Sequence, residues 1–377
     1  MIPHILCIPC ILKPVFIILQ TGILYGILSY KRFKSKYPFT KSTQELFKLN
    51  TKPDIRIMDK LFAHLETWRL YTVIWCGLVS LAGSCIAYDD FPTLKTALMA
   101  FFIPMMGWTA GLYLSDFLDR KLDAIQKPHR PIPSGRIRPY EAIGVGAVLA
   151  LTGFILSFFL SFYNVLLVFV VAFLVFSYAK FTKSKGLLGN INRGAVTVAA
   201  YFFGVFSIGQ SLESIPIYIW LLAFVFLLHD TNSNLVGAIR DMEGDKKGGY
   251  VTIPVKYGLK KSIFISLVLT LIWLPPALFL AYHYQFLSIN FYYIMIIDIL
   301  ILLCLYAYLF KSIKNYSREK ALKFHEFFVI ERITLASAFI FGVAKIQIAL
   351  VIYVVALLIT IISQYSLRKK YEFKEIK

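Results

Sequence analysis

The sequence is short of charged residues: Asp, Glu, Lys and Arg make up 16% of its 377 residues, whereas hydrophobic residues make up 58%. Soluble domains contain about 25% charged and about 45 to 50% apolar residues. This composition excludes an ordinary soluble domain and indicates a protein whose solvent is largely the lipid bilayer.

Cysteine is also scarce, with five residues in the chain. Cys7 and Cys10 form a C-x-x-C pair, but they lie in an apolar segment with no surrounding βαβ pattern, which disfavours a redox or metal role. The other three, Cys76, Cys85 and Cys304, lie in apolar runs and are expected to pack between helices. No disulfide framework is predicted.

Long apolar runs recur along most of the chain, and about 20 apolar residues cross a bilayer core as a helix. Backbone amides must be paired in hydrocarbon, and these runs are too long and too uniform for barrel strands. The predicted fold is therefore an all-α membrane bundle of about nine transmembrane helices. The predicted spans are Tyr71 to Tyr88, Thr96 to Phe117, Tyr140 to Phe162, Val165 to Tyr178, Leu187 to Gly209, Ile217 to Ile239, Ile263 to His283, Phe291 to Phe310, and a block from Phe327 to Ser363.

The last block can form a hairpin, because the basic residues 368–370 would otherwise lie on the wrong side of the membrane. Residues 65–377 are predicted to form one transmembrane domain, and residues 1–64 an extension. The apolar stretch from Ile5 to Tyr30 in that extension lacks a basic start and a clear cleavage site. We therefore expect an anchor or surface helix there rather than a signal peptide.

Lys and Arg are absent from one whole set of connections, residues 89–93, 161–164, 210–216 and 284–290. The alternate segments 31–69, 120–138 and 240–261 are rich in both. By the positive-inside rule, the basic side is predicted to be cytoplasmic. A net charge of +19 could indicate a nucleic-acid binder, but no soluble domain is visible to carry such a surface, so nucleic acid is excluded as a partner.

Acidic residues number only 21, yet two clusters of them stand out on the basic side. In the first, Ser115, Asp119 and Asp123 are spaced by four residues and Asp116 follows Ser115, so all four lie on one face of a helix. Carboxylates stacked in this way repel one another. A divalent cation relieves that repulsion, and oxygen ligands of this kind suit Mg²⁺ that also holds a phosphate.

The second cluster repeats the spacing with Asp241 and Asp245, directly after Arg240. A basic loop follows each cluster, residues 127–136 after the first and 246–256 after the second. Acids for metal and bases for phosphate on one membrane face indicate a diphosphate site. Solvated helix ends with salt bridges are the plain alternative, which fits either cluster alone better than both together.

These residues carry a family resemblance. The run from Ser115 to Asp123, continuing into Lys127-Pro128-His129-Arg130-Pro131, resembles the N-D-x-x-D-x-x-x-D motif of the UbiA superfamily of membrane prenyltransferases. The run from Asp241 to Asp245, followed by Thr252-Ile253-Pro254-Val255, resembles the second motif of that family. The resemblance covers about residues 65 to 367, and Ser115 departs from the usual Asn.

The resemblance implies a bundle around a central cavity, with the two motifs facing each other beneath a cytoplasmic cap. It implies that two or more Mg²⁺ ions bridge a prenyl diphosphate and are held by the catalytic acids Asp119, Asp123, Asp241 and Asp245. It implies further that Lys127, Arg130 and Arg240 contact the diphosphate oxygens, with Ser115 and Asp116 beside them in the substrate site.

An acceptor site is predicted below the motifs. Asp230 and Asn234 lie near the stripe of Asp241, and eleven residues of helix rise about 16 Å, which places Asp230 deep in the bilayer. An ionisable group at that depth indicates function, although a polar cluster that ties helices together explains it as well. Arg193 can meet either the diphosphate or the acceptor. Structural roles are expected for Asp298 and for a Glu331–Arg332 pair.

Three functions remain open. The first is transfer of the prenyl group to an aromatic, quinone-precursor or other lipid-soluble acceptor within the membrane. The second is an intramembrane terpene cyclase of the same superfamily, in which a double bond of the chain itself is the nucleophile. A transporter is the third and would favour matched Gly or Pro interruptions in two halves, whereas Pro275 and Pro276, deep in a predicted span, have no matching pair of prolines elsewhere in the chain.

Overall fold

A computed structural model describes residues 57–372, and no β-strand forms in this range. The extension predicted for residues 1–64 and its apolar stretch lie mostly outside the described residues. The helices are α1 (Ile57–Trp68), α2 (Leu70–Tyr88), α3 (Leu94–Gln126), α4 (Pro139–Ser157), α5 (Phe162–Ser177), α6 (Leu187–Ser207), α7 (Ile217–Lys247), α8 (Ile253–Tyr284), α9 (Ile289–Ser312), α10 (Arg318–Val343), α11 (Ile346–Ser363) and α12 (Lys369–Glu372). Short π-helical turns, Tyr178–Thr182 and Gln364–Arg368, follow α5 and α11.

Eight of the helices in residues 57–372 are long and apolar enough to cross a membrane: α2, α3, α4, α5, α7, α8, α9 and α11. The all-α membrane bundle predicted from the apolar runs is therefore confirmed. The last predicted block is two helices, α10 and α11, which part at Ala344 and Lys345, so the hairpin interpretation is correct. α10 is not among these eight, because charged residues interrupt it, yet it is buried without a break from Glu331 to Gly342.

The core of the bundle is organised around α2, whose apolar window is 83% buried. α2 packs against α3, α6, α10 and α11, and α7 packs against α6, α8 and α10. The apolar windows of α4 and α5 are only 28% and 11% buried, so these helices present most of their surface to lipid. The polar side chains that membrane helices cannot expose therefore collect on α2, α6, α7 and α10.

Small residues allow α2 and α6 to touch backbone to backbone. A Cβ atom added to Gly204 of α6 would lie 1.7 Å from the carbonyl oxygen of Ser80 on α2. A Cβ atom on Gly83 of α2 would lie 2.4 Å from the carbonyl oxygen of Tyr201 on α6. Close approach through small residues is the usual way for helices to pack where no hydrophobic effect drives them together.

Candidate active site

The first acidic motif lies on the last turns of α3, which continues past the predicted end of the span to Gln126. Because the helix is unbroken there, Ser115, Asp119 and Asp123 lie on successive turns of one face. The Ser115 hydroxyl lies 3.5 Å from a carboxylate oxygen of Asp119, so it can donate a hydrogen bond to the next turn.

Asp119 is held by two side chains from distant parts of the chain. Lys183 Nζ lies 2.5 Å from Asp119 Oδ2, and the Tyr250 hydroxyl lies 3.5 Å from Oδ1. Burial by itself lowers the pKa of the Lys183 amine, but the charge and hydrogen bond of Asp119, together with Tyr178 and Tyr250, raise that pKa above its ordinary value. Lys183 is therefore a fixed cation at the first motif.

The other acids of the first motif are also paired with cations. Arg130 Nη1 donates to Asp123 Oδ2 over 2.8 Å, from the basic loop that follows α3. Asp116 forms an ion pair with Arg69, the single residue between α1 and α2. Its two oxygens also accept from the Tyr371 hydroxyl at 3.1 and 3.0 Å.

The second motif lies on the last turns of α7, which extends to Lys247. Arg240 binds Asp241 in a bidentate manner, with Nε at 3.1 Å and Nη2 at 2.5 Å from the two carboxylate oxygens. Asp245 accepts a hydrogen bond of 3.2 Å from the hydroxyl of Thr252, which precedes α8. Thr252, which begins the run after the second motif, thus donates a hydrogen bond to the last acid of that motif.

Lys127 joins the two motifs. It follows α3, and its Nζ lies 3.9 Å from Asp241 Oδ1 on α7. A carboxylate from the last described turn, Glu372, lies between the cations, 3.3 Å from Lys127 Nζ and 3.7 Å from Arg240 Nη1. Burial by itself raises the pKa of the Glu372 carboxyl, but the charges of Lys127, Arg240 and Arg130 hold it well below its ordinary value. The two motifs therefore share one charged space.

The carboxylates suit Mg²⁺ by their chemistry. Among residues 57–372, no three His, Cys, Asp or Glu side chains lie close enough together to hold a metal ion. Mg²⁺ is held in phosphate sites by one or two carboxylates, while phosphate and water complete its shell. Asp119 and Asp241 are accessible donors, with side chains 22% and 26% exposed, and each is paired with a basic side chain. Each motif therefore offers at least one accessible carboxylate for such an ion.

A second polar cluster lies among α3, α6 and α7. Arg193 Nε is 3.8 Å from Asp230 Oδ2, and the guanidinium lies 3.7 Å from the ring centre of Trp108. Asp230 is 1% exposed, and neither its Oδ2 nor Arg193 Nε has a hydrogen-bond partner among the described residues. Asn234, one turn further along α7, is half-buried. The cluster is buried, charged and incompletely bonded.

Arg332 belongs to this cluster, which corrects the expected Glu331–Arg332 pair. Arg332 donates to the Ser233 hydroxyl at 3.1 Å and lies 4.9 Å above the ring of Trp75. Glu331 instead contacts His229 Nε2 at 2.9 Å, one turn before Ser233 on α7. Neighbouring helix residues point about 100° apart, so the two side chains meet different residues of α7 and no ion pair forms between them.

The sequence did not single out several residues of the site. Lys183 lies beside Tyr250, in the loop after the second motif, because residues 185 and 251 form a β-bridge between two connections. Arg69, Tyr371 and Glu372 reach the motifs from chain positions 47 or more residues away. A Lys just before a span on the basic side was a usable signal for Lys183, but nothing local indicated the other four.

Comparisons with known proteins agree with this geometry. Residues 74–330 match the UbiA prenyltransferase family. The chain is 31% identical over 291 residues to a digeranylgeranylglyceryl phosphate synthase of Methanocaldococcus jannaschii, which covers 77% of this chain and 99% of the relative. It is 28% identical over 205 residues to the enzyme of that name from Thermococcus kodakarensis, over 54% of this chain and 72% of the relative.

Solved structures give the same fold. A structure described for digeranylgeranylglyceryl phosphate synthase in membranes matches with a TM-score of 0.58 and 28% identity, over 76% of this chain and 99% of that one. A UbiA homologue from Aeropyrum pernix K1 matches with a TM-score of 0.59 and 18% identity, over 76% and 98%. One from Archaeoglobus fulgidus, bound to GPP and Mg²⁺, has a TM-score of 0.52 and 16% identity, over 73% and 99%. This integral membrane protein belongs to the UbiA prenyltransferase family.

Proposed function

We propose that this prenyltransferase moves a geranylgeranyl-type group from its diphosphate to the hydroxyl of a prenylated glyceryl phosphate within the membrane. The observation that carries the proposal is the shared charged space of the two motifs, in which Lys127 faces Asp241 at 3.9 Å across the gap between α3 and α7. Acids and bases in this arrangement are what a diphosphate and its counter-ions require.

The cations act on the leaving group. When the bond from C1 of the prenyl chain to the diphosphate oxygen breaks, the electron pair and the negative charge go to the diphosphate. Lys127, Arg130, Arg240 and Lys183 are tied to structured elements through their ion pairs, so they face that charge without having to be ordered first. Their bidentate and single contacts hold the diphosphate at the end of the bundle, with the prenyl chain directed toward the apolar interior.

Asp119, Asp123, Asp241 and Asp245 would hold Mg²⁺, which when bound supplies further positive charge to the diphosphate oxygens. The carboxylates would fix the position of this positive charge beside the diphosphate. The bundle excludes water from C1 of the prenyl chain, the reacting carbon. Trp108 and Trp75 line the buried cluster, where their rings lie against the guanidinium groups of Arg193 and Arg332 and hold these cations in place.

A phosphate-bearing acceptor fits the buried cluster better than a neutral ring. Arg193 and Arg332 bring two positive charges against the single carboxylate of Asp230, and each has an Nε without a hydrogen-bond partner in the described residues. Such donors are costly to bury unless an anion binds them. The acceptor oxygen forms the new bond to C1, and its proton passes to a base, for which the unpartnered oxygen of Asp230 is suited. Two similar proteins are named as digeranylgeranylglyceryl phosphate synthases, which supports the same acceptor class.

The product separates this proposal from its alternatives. The purified protein is incubated with Mg²⁺, geranylgeranyl diphosphate and either geranylgeranylglyceryl phosphate, an aromatic acceptor or no acceptor, and the lipids are identified by mass. We expect a doubly prenylated glyceryl phosphate that forms only when the first acceptor is present. The aromatic acceptor expected from sequence alone is the second arm of this assay.

Two results would contradict the proposal. A prenylated ring formed in preference to the glyceryl product would assign an aromatic acceptor. A cyclic hydrocarbon formed without any acceptor would assign the terpene cyclase reaction. A matched control is Asp59→Ala, which removes an exposed acid of α1 far along the chain from both motifs and leaves each of these products unchanged.

A further inference from the structure

The segment Gln364–Glu372, which follows α11, occupies the cations assigned to the diphosphate. Its last described residue, Glu372, is 4% exposed and lies between Lys127 and Arg240 at 3.3 and 3.7 Å. A carboxylate and a diphosphate present the same kind of anionic oxygen to a cation. Two cations that hold a buried carboxylate cannot make their full set of contacts with a second anion at the same time.

Tyr371 covers the first motif in the same way. Its hydroxyl donates to both oxygens of Asp116, and its ring lies under the guanidinium of Arg130 at 4.3 Å. Its carbonyl oxygen lies 2.8 Å from His129 Nε2, which can donate to it. Two successive residues of one segment therefore touch Asp116, Arg130, Lys127 and Arg240, which belong to both motifs and the basic loop.

The segment is anchored away from the site. Arg368 is fully buried, with Nη1 2.7 Å from Gln364 Oε1 and Nη2 2.8 Å from His325 Nδ1 of α10. Its guanidinium also lies 5.1 Å from the ring centre of Tyr71 on α2. This anchor lies before residues 371 and 372, so those two residues can leave the cations while the rest of the segment stays in place.

We infer that residues 371 and 372 form an autoinhibitory plug, in which the Glu372 carboxylate competes with the diphosphate of the substrate for Lys127 and Arg240. The inference rests on the proposed diphosphate site. A site that is free only part of the time binds its ligand with an apparent affinity reduced by that fraction. The plug therefore weakens the binding of every diphosphate ligand, whatever its prenyl chain, and a substrate binds only by displacing it.

Binding of inorganic diphosphate with Mg²⁺, measured by titration calorimetry on the purified chain, tests the competition. For Glu372→Gln we expect about tenfold tighter binding, as follows if the plug covers the site about nine-tenths of the time. Glu319→Gln removes an exposed carboxylate from the first turn of α10, and we expect no change there. Unchanged binding in Glu372→Gln would show that this carboxylate does not compete with diphosphate. Weaker binding would make Glu372 part of the diphosphate site. Either result would overturn the inference.

Hydrogen–deuterium exchange of the wild-type segment gives a second readout that does not depend on a substitution. We expect amide exchange at residues 370–372 to become faster when Mg²⁺ and diphosphate are added, while Arg368 stays protected. Slower exchange at those residues would show a lid that closes over the ligand, and the plug would be rejected. Wild-type protein that bound no diphosphate would instead reject the proposed function itself, so the two failures are distinct.

Discussion

The two acidic motifs share a spacing but are neutralised in different ways. Asp119 of the first motif is paired with Lys183, 64 residues further along the chain. Asp241 of the second is paired with Arg240, its neighbour on the same helix. Asp119 therefore gains its cation only when α3 and the connection after α5 are brought together, whereas Asp241 has one beside it on the same helix. The pairing of Asp119 depends on the fold, and the bidentate pairing of Asp241 is local.

The largest expected effect is a loss of activity of the same size for an acid of either motif. We expect Asp119→Ala and Asp241→Ala each to lower kcat/KM for diphosphate release about 1000-fold. Each variant removes an accessible carboxylate that would hold Mg²⁺ against the leaving diphosphate. Pyrophosphate release from geranylgeranyl diphosphate measures the loss, with Asp59→Ala as the matched control. Loss in one variant alone would mean that a single motif suffices, and wild-type turnover in excess EDTA would remove Mg²⁺ from the scheme.

Replacing the cations sharpens the difference between the motifs. We expect Lys183→Ala and Arg240→Ala each to lower kcat/KM about 100-fold, because each removes one donor from the leaving group. Lys183→Ala should also lower the free energy of unfolding, by about 1 kcal/mol, since the Lys183–Asp119 pair joins two elements. Thermal unfolding in detergent tests this. An unchanged free energy of unfolding in Lys183→Ala would contradict the role of this pair in joining α3 to the connection after α5.

A more selective effect is expected below the motifs. Asp230→Asn keeps the size of the side chain but removes the carboxylate proposed to take the proton of the acceptor, and we expect kcat with the acceptor to fall about 100-fold. The KM for the prenyl diphosphate should change little, because Asp230 contacts Arg193 and none of the cations at the motifs. The reverse pattern, a raised KM for the diphosphate with an unchanged kcat, would place Asp230 in the diphosphate site.

The smallest perturbation tests whether both motifs lie on the cytoplasmic side, as the distribution of Lys and Arg predicts. Single cysteines are placed at the exposed positions Ser134 and Lys256, one after each motif, in a chain whose own cysteines are replaced. We expect both to be labelled from the cytoplasmic side, and a cysteine at the exposed Glu213 from the other. If the cysteines at positions 134 and 256 were labelled from opposite sides of the membrane, the two motifs could not form one diphosphate site.

Local sequence determined most of the fold and part of the site. Apolar runs located the helices because each span must bury its backbone polar groups within itself, and this needs no knowledge of neighbours. The acids of both motifs were found for a similar reason, since helical spacing alone puts Ser115, Asp119 and Asp123 on one face. Arg240 and Arg130 were found because they lie close to their acids in the chain.

Partners from distant segments were not accessible to the same reasoning. Arg69 and Tyr371 meet at Asp116 although they are 302 residues apart. Arg69 reaches this position because it adopts a left-handed backbone conformation, φ 48°, between α1 and α2. Glu331 and Arg332 were predicted to pair because they are adjacent, whereas adjacent helix residues face different neighbours. These contacts depend on how the helices pack against one another, and the hydrophobic periodicity of a sequence does not predict that packing.

The contact between α2 and α6 limits how the bundle can open. With Gly204 against the backbone of Ser80, the two helices leave no gap for an acyl or prenyl chain between them. A sliding motion at this seam would bring backbone atoms into collision, so the contact holds the register of α2 against α6. With this seam closed, the lipids of the proposed reaction enter between other pairs of helices.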